Sequence, residues 1–295
     1  MKIYYKNDKI EYPSPAIALG NFDGVHMGHK AVIKNASDLG GSYGVLLFKT
    51  HSSKDVKVIT PLNEKLRILS EIGLDFAYIV DFDDDFKNMS CKEFCRFLSE
   101  IGVEYVSVGY DYRCGKGAMC DAYSLKEELA LYAIKTVIAD PVFCESEPVK
   151  STGIREWLMS GNIEKVNALM TRPMRISGTV VEGLQNGIKL GFPTANIDAK
   201  EEQLLPLDGV YCSLCFIDGI EYPSILNIGK NPTFNAQKRT IEVHIINFDG
   251  NLYGKEIDIE IHSRIRGEIK FDTMSELSKQ IESDRQFVLA WREGK

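Results

Sequence analysis

Ala16-Ile17-Ala18-Leu19 is a short apolar segment that reads as a buried strand. It runs directly into Gly20-Asn21-Phe22-Asp23-Gly24-Val25-His26-Met27-Gly28-His29, and residues 30–36 then read as a helix. A strand, a glycine-bearing turn and a helix start in direct succession dictate a βα unit whose turn opens at the carboxyl end of the strand. Free backbone N–H groups and the positive end of the helix dipole point into such a turn and make it a phosphate site. Gly24 and Gly28 let a ligand approach the backbone where a side chain would block it. His26 and His29, three residues apart at the helix mouth, can face the same phosphates, while Asp23 orients the turn. These donors suit the stabilisation of charge on a phosphoryl group in transit. A half zinc site is the competing reading of the two histidines, and no convincing third ligand stands nearby.

The first half of the chain continues to alternate. Residues 44–48, 76–80, 103–109 and 136–138 read as strands. Between them, helices open at Pro61, at the capping box Ser90-Cys91-Lys92-Glu93, and over residues 125–133. Short connections between buried strands and helices predict an α/β domain with a doubly wound parallel sheet, and ligands then bind at the carboxyl ends of the strands. Two more stretches fall at such ends. One is the loop Tyr110-Asp111-Tyr112-Arg113-Cys114-Gly115. The other is Lys150-Ser151-Thr152-Gly153-Ile154-Arg155, which sets hydroxyls at a helix N-terminus with an arginine one turn in.

Beyond Arg172-Pro173-Met174 the period changes. Residues 176–182, 209–217, 222–228, 240–248 and 256–264 read as strands, and helix returns only over 275–291. This predicts a small antiparallel β-barrel with a terminal helix, and hence two domains, 1–172 and 173–295. Within the barrel, residues 189–197 read as a turn offering the hydroxyl of Thr194 and the amide of Asn196 together. Alternation over residues 240–246 puts Thr240, Glu242 and His244 on one face and Ile241, Val243 and Ile245 on the other.

Composition excludes several classes. A net charge of −7 provides no basic field for nucleic acid. No apolar run approaches membrane-spanning length, and the opening residues lack the apolar core of a signal peptide, so a cytoplasmic protein is expected. Seven scattered cysteines do not form a disulfide framework on their spacing. Cys212 and Cys215 share a strand at an odd separation, so their sulfurs are expected on opposite faces, as structural cysteines rather than a metal or redox pair.

The segment Gly-x-Phe-Asp-Gly-Val-His-x-Gly-His over residues 20–29 resembles the HxGH signature of nucleotidyltransferases. The form is that of the bacterial bifunctional riboflavin kinase/FMN adenylyltransferase (FAD synthetase) family. The loop at 108–115 resembles the family's Val-Gly-x-Asp-Phe-Arg-Phe-Gly, with Tyr112 and Cys114 replacing two phenylalanines. The family's arginine and glycine further along this loop would fall near Ala118 and Cys120. Ser151-Thr152-Gly153-Ile154-Arg155 resembles the family's Ser-Thr-x-Ile-Arg. Phe48-Lys49-Thr50-His51-Ser52 stands where the family has Phe-x-Pro-His-Pro near the flavin, with both prolines absent. In the second half, Pro193-Thr194-Ala195-Asn196 and Glu242-Val243-His244 resemble the riboflavin kinase module, with Gly209-Val210-Tyr211, Asn227-Ile228-Gly229 and Asn231-Pro232-Thr233 in family order.

The resemblance implies a Rossmann-like nucleotidyltransferase domain followed by a riboflavin kinase barrel. In the first, Gly20, Phe22, Asp23, Gly24, His26, His29, Ser151, Thr152 and Arg155 would bind ATP, with Asp111 and Arg113 toward the flavin. In the second, Gly191, Pro193, Thr194 and Asn196 would bind ATP, Thr194 and Asn196 would hold Mg²⁺, and Glu242 would be the catalytic base. Riboflavin, FMN and ATP are the implied small-molecule partners and FMN and FAD the products, with neither nucleic acid nor membrane involved and room left for a weak homo-oligomer. The residues leave other readings open. The chain could be a kinase alone, could adenylylate another acceptor such as pantetheine phosphate or nicotinamide mononucleotide, or could bind flavin without catalysis.

Overall fold

The computed structural model describes residues 1–49, 56–183, 191–230 and 239–294. They fall into two compact units, Met1–Ser151 and Thr152–Lys295.

The first unit is built on six parallel strands: β1 (Lys2–Tyr5), β2 (Pro15–Leu19), β3 (Ser42–Phe48), β4 (Phe76–Val80), β5 (Tyr105–Gly109) and β6 (Lys135–Ala139), in the spatial order β1-β4-β3-β2-β5-β6. Strand β2 is buried at every position, because it is central and covered on both faces. Its even residues, Ala16 and Ala18, join Val32, Ile33 and Leu69 under helices α1 (Met27–Leu39) and α2 (Leu62–Ile72). Its odd residues, Ile17 and Leu19, join Leu98 and Leu125 on the other face. These last come from helices α4 (Cys91–Glu100) and α5 (Ala122–Ala130), which follow a single-turn helix α3 (Asp84–Asn88).

From β2 the chain winds outward through β3 to β4 on one side, then crosses to β5 and β6 on the other. Strand order therefore reverses between β2 and β5, which pair with Leu19 opposite Val108. The turn after β2 and the loop after β5 consequently flank the crevice where an open α/β sheet binds ligands. Strand β1 has no counterpart in the sequence expectation. It is an edge strand with only Tyr4 buried, and its Lys-Ile-Tyr-Tyr carries no alternation to announce it. Helix α5 also starts three residues before the expected 125, at an Asp121 cap that accepts from Ser124 N.

The second unit opens with helices α6 (Ser151–Ser160, its first residue at the seam) and α7 (Ile163–Met170). Asn167 ties α7 to the barrel, donating to the Ile261 carbonyl and accepting from Met174 N. The barrel comprises β7 (Met174–Val181), β8 (Ala195–Ala199), β9 (Gly209–Ile217), β10 (Ile220–Lys230), β11 (Arg239–Ile245) and β12 (Glu256–Arg266). They close in the order β7-β8-β11-β10-β9-β12. Closure removes the unpaired edges that an open sheet of this size would expose. Buried Ile176, Val180, Ile241, Val243, Ile259 and Ile261 alternate with outward residues, as a filled small barrel requires. The expected turn over 189–197 needs correction at its end. Ala195–Ala199 is a strand, held by pairing to both β7 and β11 despite its turn-forming composition.

Helix α8 (Met274–Glu293) starts at a capping box of Thr273 and Glu276 and covers one flank of the barrel. Its Val288 packs with Val210, Cys212 and Ile225. The buried carboxylate of Asp284 takes a forked hydrogen bond from Arg266, at 3.1 and 2.8 Å. Cys212 thus faces the helix layer, and burial pushes the Cys215 thiol up to about 12.

The cysteine expectation is corrected at one place. Cys91 and Cys120 form a disulfide, with Cα atoms 5.8 Å apart. Their 29-residue separation gave no signal, because the two meet only when the loop after β5 folds back on the start of α4.

Candidate functional site

The turn after β2 is built under strain. Phe22, Gly24 and Val25 have φ of 48°, 91° and 41°, and only glycine adopts such values at little cost. Phe22 and Val25 are fully buried, so packing holds them there. The Asp23 carboxylate, 2% exposed, accepts from the backbone N–H groups of Ile59 at 2.9 Å and Thr60 at 3.1 Å. Buried Lys65 donates to the Asn21 carbonyl at 2.7 Å; desolvation lowers its pKa, partly countered by the charge of Asp23. The Ser151 hydroxyl donates to the Asp23 carbonyl at 2.8 Å. Asp23→Ala would strip two buried N–H groups of their acceptor and leave Lys65 uncompensated. Stability of the first unit should fall by roughly 3–5 kcal/mol, read as lost exchange protection at the Ile59 and Thr60 amides.

At the mouth of α1 the two histidines cap the helix for each other. His26 Nδ1 accepts from His29 N at 3.3 Å, and His29 Nδ1 accepts from His26 N at 3.4 Å. This is a capping box in which imidazoles replace the usual hydroxyl and carboxylate. The rings stack with centroids 3.6 Å apart, and Phe22 lies 5.2 Å from the His29 ring. Because each Nδ1 accepts, each neutral ring carries its proton on Nε2. Gly28 leaves space for this stack, since a Cβ there would lie 3.2 Å from the His26 ring and from the Val149 carbonyl.

The second loop at the crevice carries Asp111, whose carboxylate pairs with Lys150 at 2.7 Å; Lys150 also lies over the Tyr110 ring. The hydrogen bond to Asp111 is the main reason the Lys150 pKa is raised. Exposed Arg113 donates at 3.5 Å to the Ala118 carbonyl. The structure therefore brings Gly20, Phe22, Asp23, Gly24, His26, His29 and Ser151 to one turn. Thr152 and Arg155 follow on α6, in the second unit. Lys150 had no role assigned from sequence; its pairing with a residue 39 positions earlier is visible only in the fold. Of the segment at 48–52, residues 50–52 lie outside the described residues.

In the second unit, Glu242 projects from the outer face of β11. It stands opposite Asn196 of β8 on one side and Asn227 of β10 on the other. The Thr194 side chain hydrogen-bonds to it. Burial raises the Glu242 pKa above 4.5, against the opposing hydrogen bond. Two residues on, His244 is bonded through Nδ1 to the Pro193 carbonyl at 2.8 Å and meets the edge of Phe192. Burial lowers its pKa, with Arg285 of α8 acting in the same direction and Glu282 opposing. Gly183 lies against this group, where a Cβ would stand 1.9 Å from the Asn196 amide nitrogen and force that amide to move. Gly191, at φ 80°, turns the chain into the same segment.

Thr194 is bonded to Glu242 and Asn196 stands opposite it in register, so the residues gathered here carry oxygen donors of the kind that suits Mg²⁺. Sequence reasoning singled out Thr194, Asn196 and Glu242 but gave no role to Asn227, Gly183 or Phe192. Asn227 could have been found by placing β10 beside β11 in register; the other two are defined by close approach. Residues 189–190 and 231–233 of the expected motifs lie outside the described residues.

Comparison with known proteins bears on both halves of the chain. A family model described as FAD synthetase matches residues 9–153, and one described as riboflavin kinase matches residues 170–291. Curated relatives named bifunctional riboflavin kinase/FMN adenylyltransferase align nearly end to end. The Listeria monocytogenes protein is 37% identical, covering 93% of this chain and 91% of its own length. The Bacillus subtilis protein is 33% identical, covering 96% and 94%, and the Escherichia coli K12 protein 32%, covering 91% and 90%. A solved structure from Streptococcus pneumoniae described as a macrolide-efflux protein matches with a TM-score of 0.87 at 27% identity, covering 99% of this chain and 100% of that one. No helix among the described residues of this chain is long and apolar enough to cross a membrane. With both family models in order along the sequence and relatives above 30% identity across it, the chain belongs to the bifunctional riboflavin kinase/FMN adenylyltransferase family.

Proposed function

We propose that this chain makes FMN from riboflavin in its second domain and FAD from FMN in its first, using ATP for both. The observation that carries the reading is the presence, in one chain of this family, of a double-histidine cap at a topological switch point and a half-buried glutamate between two asparagines on a barrel wall.

In the kinase reaction the 5′-hydroxyl oxygen of riboflavin attacks the γ-phosphorus of ATP and ADP departs. A primary alcohol is a weak nucleophile, so Glu242 takes its proton as the new bond forms. Its raised pKa supports this role, since a desolvated carboxylate is a stronger base than a solvated one. Asn196 and Asn227 position the carboxylate from either side. Mg²⁺, when bound with ATP by Thr194 and Asn196, supplies charge neutralisation on the phosphates.

In the adenylyl transfer an FMN phosphate oxygen attacks the α-phosphorus of ATP and pyrophosphate departs. The nucleophile is already anionic, so neither a protein base nor a covalent intermediate is needed. His26 and His29 donate from Nε2 to the phosphate oxygens, next to backbone N–H groups at the N-terminus of α1. Gly20, Phe22, Asp23 and Gly24 shape the turn, Ser151 and Thr152 add hydroxyls, and Arg155 adds a forked donor for ATP phosphates. Asp111 and Arg113 act toward the flavin. By function the domains are 1–172 and 173–295, although packing groups residues from Thr152 onward with the barrel.

Incubation with riboflavin, ATP and Mg²⁺, followed by chromatographic separation of flavins, tests the reading. FMN and FAD together are expected. FMN alone would leave a kinase with an inactive first domain, the outcome favoured by the absent prolines at Thr50 and Ser52. Neither product would overturn both assignments.

A further inference from the structure

The loop between β5 and α5 and the start of α4 together hold a thiol cluster that neither reaction uses. The sulfurs of Cys91, Cys114 and Cys120 lie within 4.8 Å of one another. Cys91 and Cys120 are joined as a disulfide, which employs two of these sulfurs and leaves the third beside them.

The three are brought together by built geometry. Cys114 and Cys120 are directly opposed on a two-residue antiparallel ladder. The chain between them doubles back tightly, with Gly115, Gly117 and Ala118 at φ of 73°, 65° and 56°. Lys116 N donates to the Met89 carbonyl at 2.7 Å, fastening the turn to the start of α4. Gly115 sits so close that a Cβ would lie 3.3 Å from Cys91 N. Two helix N-termini converge on the sulfurs: Cys91 is the first residue of α4, capped by Ser90, and Cys120 immediately precedes the Asp121 cap of α5. Both dipoles favour negative charge at the sulfurs of Cys91 and Cys120, while burial pushes the Cys114 thiol up to about 12. Cys91 and Cys120 also line an open cavity of about 1000 Å³, which provides a route for an ion and for a water ligand.

We infer that in the reduced chain Cys91, Cys114 and Cys120 form a Zn²⁺ site, the disulfide being its oxidised, metal-free form. Tetrahedral zinc with Zn–S bonds of about 2.3 Å holds its sulfurs roughly 3.8 Å apart, a spacing these three reach by small side-chain rotations. The chemistry balances. A thiol reductant gives the bridge two electrons and two protons and leaves as its own disulfide, or a phosphine gives the electrons, water gives the protons and the phosphine leaves as its oxide; either way two thiols result. The three thiols then bind Zn²⁺ with release of three protons, leaving a complex of charge −1 and a fourth position for water. Soft thiolates select zinc over Mg²⁺, so this site does not compete for the kinase metal.

The test uses the full chain, reduced with a phosphine, freed of metal by a chelator and titrated with Zn²⁺ or Co²⁺. One metal per chain is expected, with Co²⁺ giving thiolate charge-transfer absorption. Cys114→Ser, which keeps the bridging pair, should lose the metal at a chelator concentration the parent withstands; Cys144→Ser should keep it. A Cys114→Ser protein that binds Co²⁺ as the parent does would overturn the proposal. Mass-mapped alkylation of the unaltered chain supplies an arm independent of folding. Zn²⁺ should protect Cys91, Cys114 and Cys120 and leave Cys144 reactive. Identical alkylation with and without Zn²⁺, or a bridge that resists excess phosphine, would equally sink it.

Discussion

Replacing Glu242 by Gln is expected to slow riboflavin phosphorylation by 10²- to 10⁴-fold, about 3–5 kcal/mol of transition-state stabilisation, with little change in ATP or riboflavin binding. Gln keeps the shape and the Thr194 contact but cannot accept a proton. The folded protein should not suffer. Burial raises the Glu242 pKa, so the folded state holds that proton more tightly than the unfolded chain. Ionisation of Glu242 therefore costs stability as pH rises through the folded value, and the neutral amide escapes that cost. The melting temperature of Glu242→Gln at neutral pH should equal or exceed that of the parent. The parent's kinase rate should fall on the acid side, with a midpoint above the 4.5 of an ordinary glutamate, and this limb should be absent from the residual activity of the variant. Steady-state kinetics across pH, with a thermal melt of each protein, check all three; an unchanged turnover number would remove Glu242 from the role of base.

His29→Ala is expected to cut FAD formation by 10²- to 10³-fold, the usual cost of one donor to developing charge, while FMN formation continues at the parent rate. The same change removes half of the reciprocal cap on α1 and should destabilise the first unit by about 1 kcal/mol. His29→Gln separates the two effects. A glutamine at this position accepts from His26 N as in an ordinary capping box, so stability should return. The imidazole donor does not, so FAD formation should stay low. Full recovery of FAD formation in His29→Gln would mean that His29 acts only as a cap.

Much of this architecture was legible in the sequence because the signals were local. Leu19 feeding Gly20 marks the end of a buried strand, and the alternation from Thr240 to Ile246 separates the outward Glu242 from the inward Val243. What escaped depends on partners distant in the chain. Strand β8 looks like a turn because Pro193-Thr194-Ala195-Asn196 is turn-rich, and only β7 and β11 make it a strand. Edge strand β1 draws its identity from β4, 74 residues away. Asn227 comes beside Glu242 through the register of β10 on β11, the Asp111–Lys150 pair forms through the loop after β5, and the Cys91–Cys120 bond through a fold-back that no spacing announces. The histidine cap was half readable. Position and spacing pointed to phosphate, but the mutual Nδ1 bonds that fix the tautomer require the folded helix start.

Strand β11 packs the barrel with Ile241, Val243 and Ile245 and turns Glu242, the proposed base, to the other face. Tolerance to change along it should therefore follow parity. In a saturation library scored separately for abundance and for FMN output, odd positions should lose both scores together, whereas position 242 should lose output alone. Under the proposed base assignment, catalysis and foldedness are written on interleaved letters of one strand, and selection can revise the first without rewriting the second.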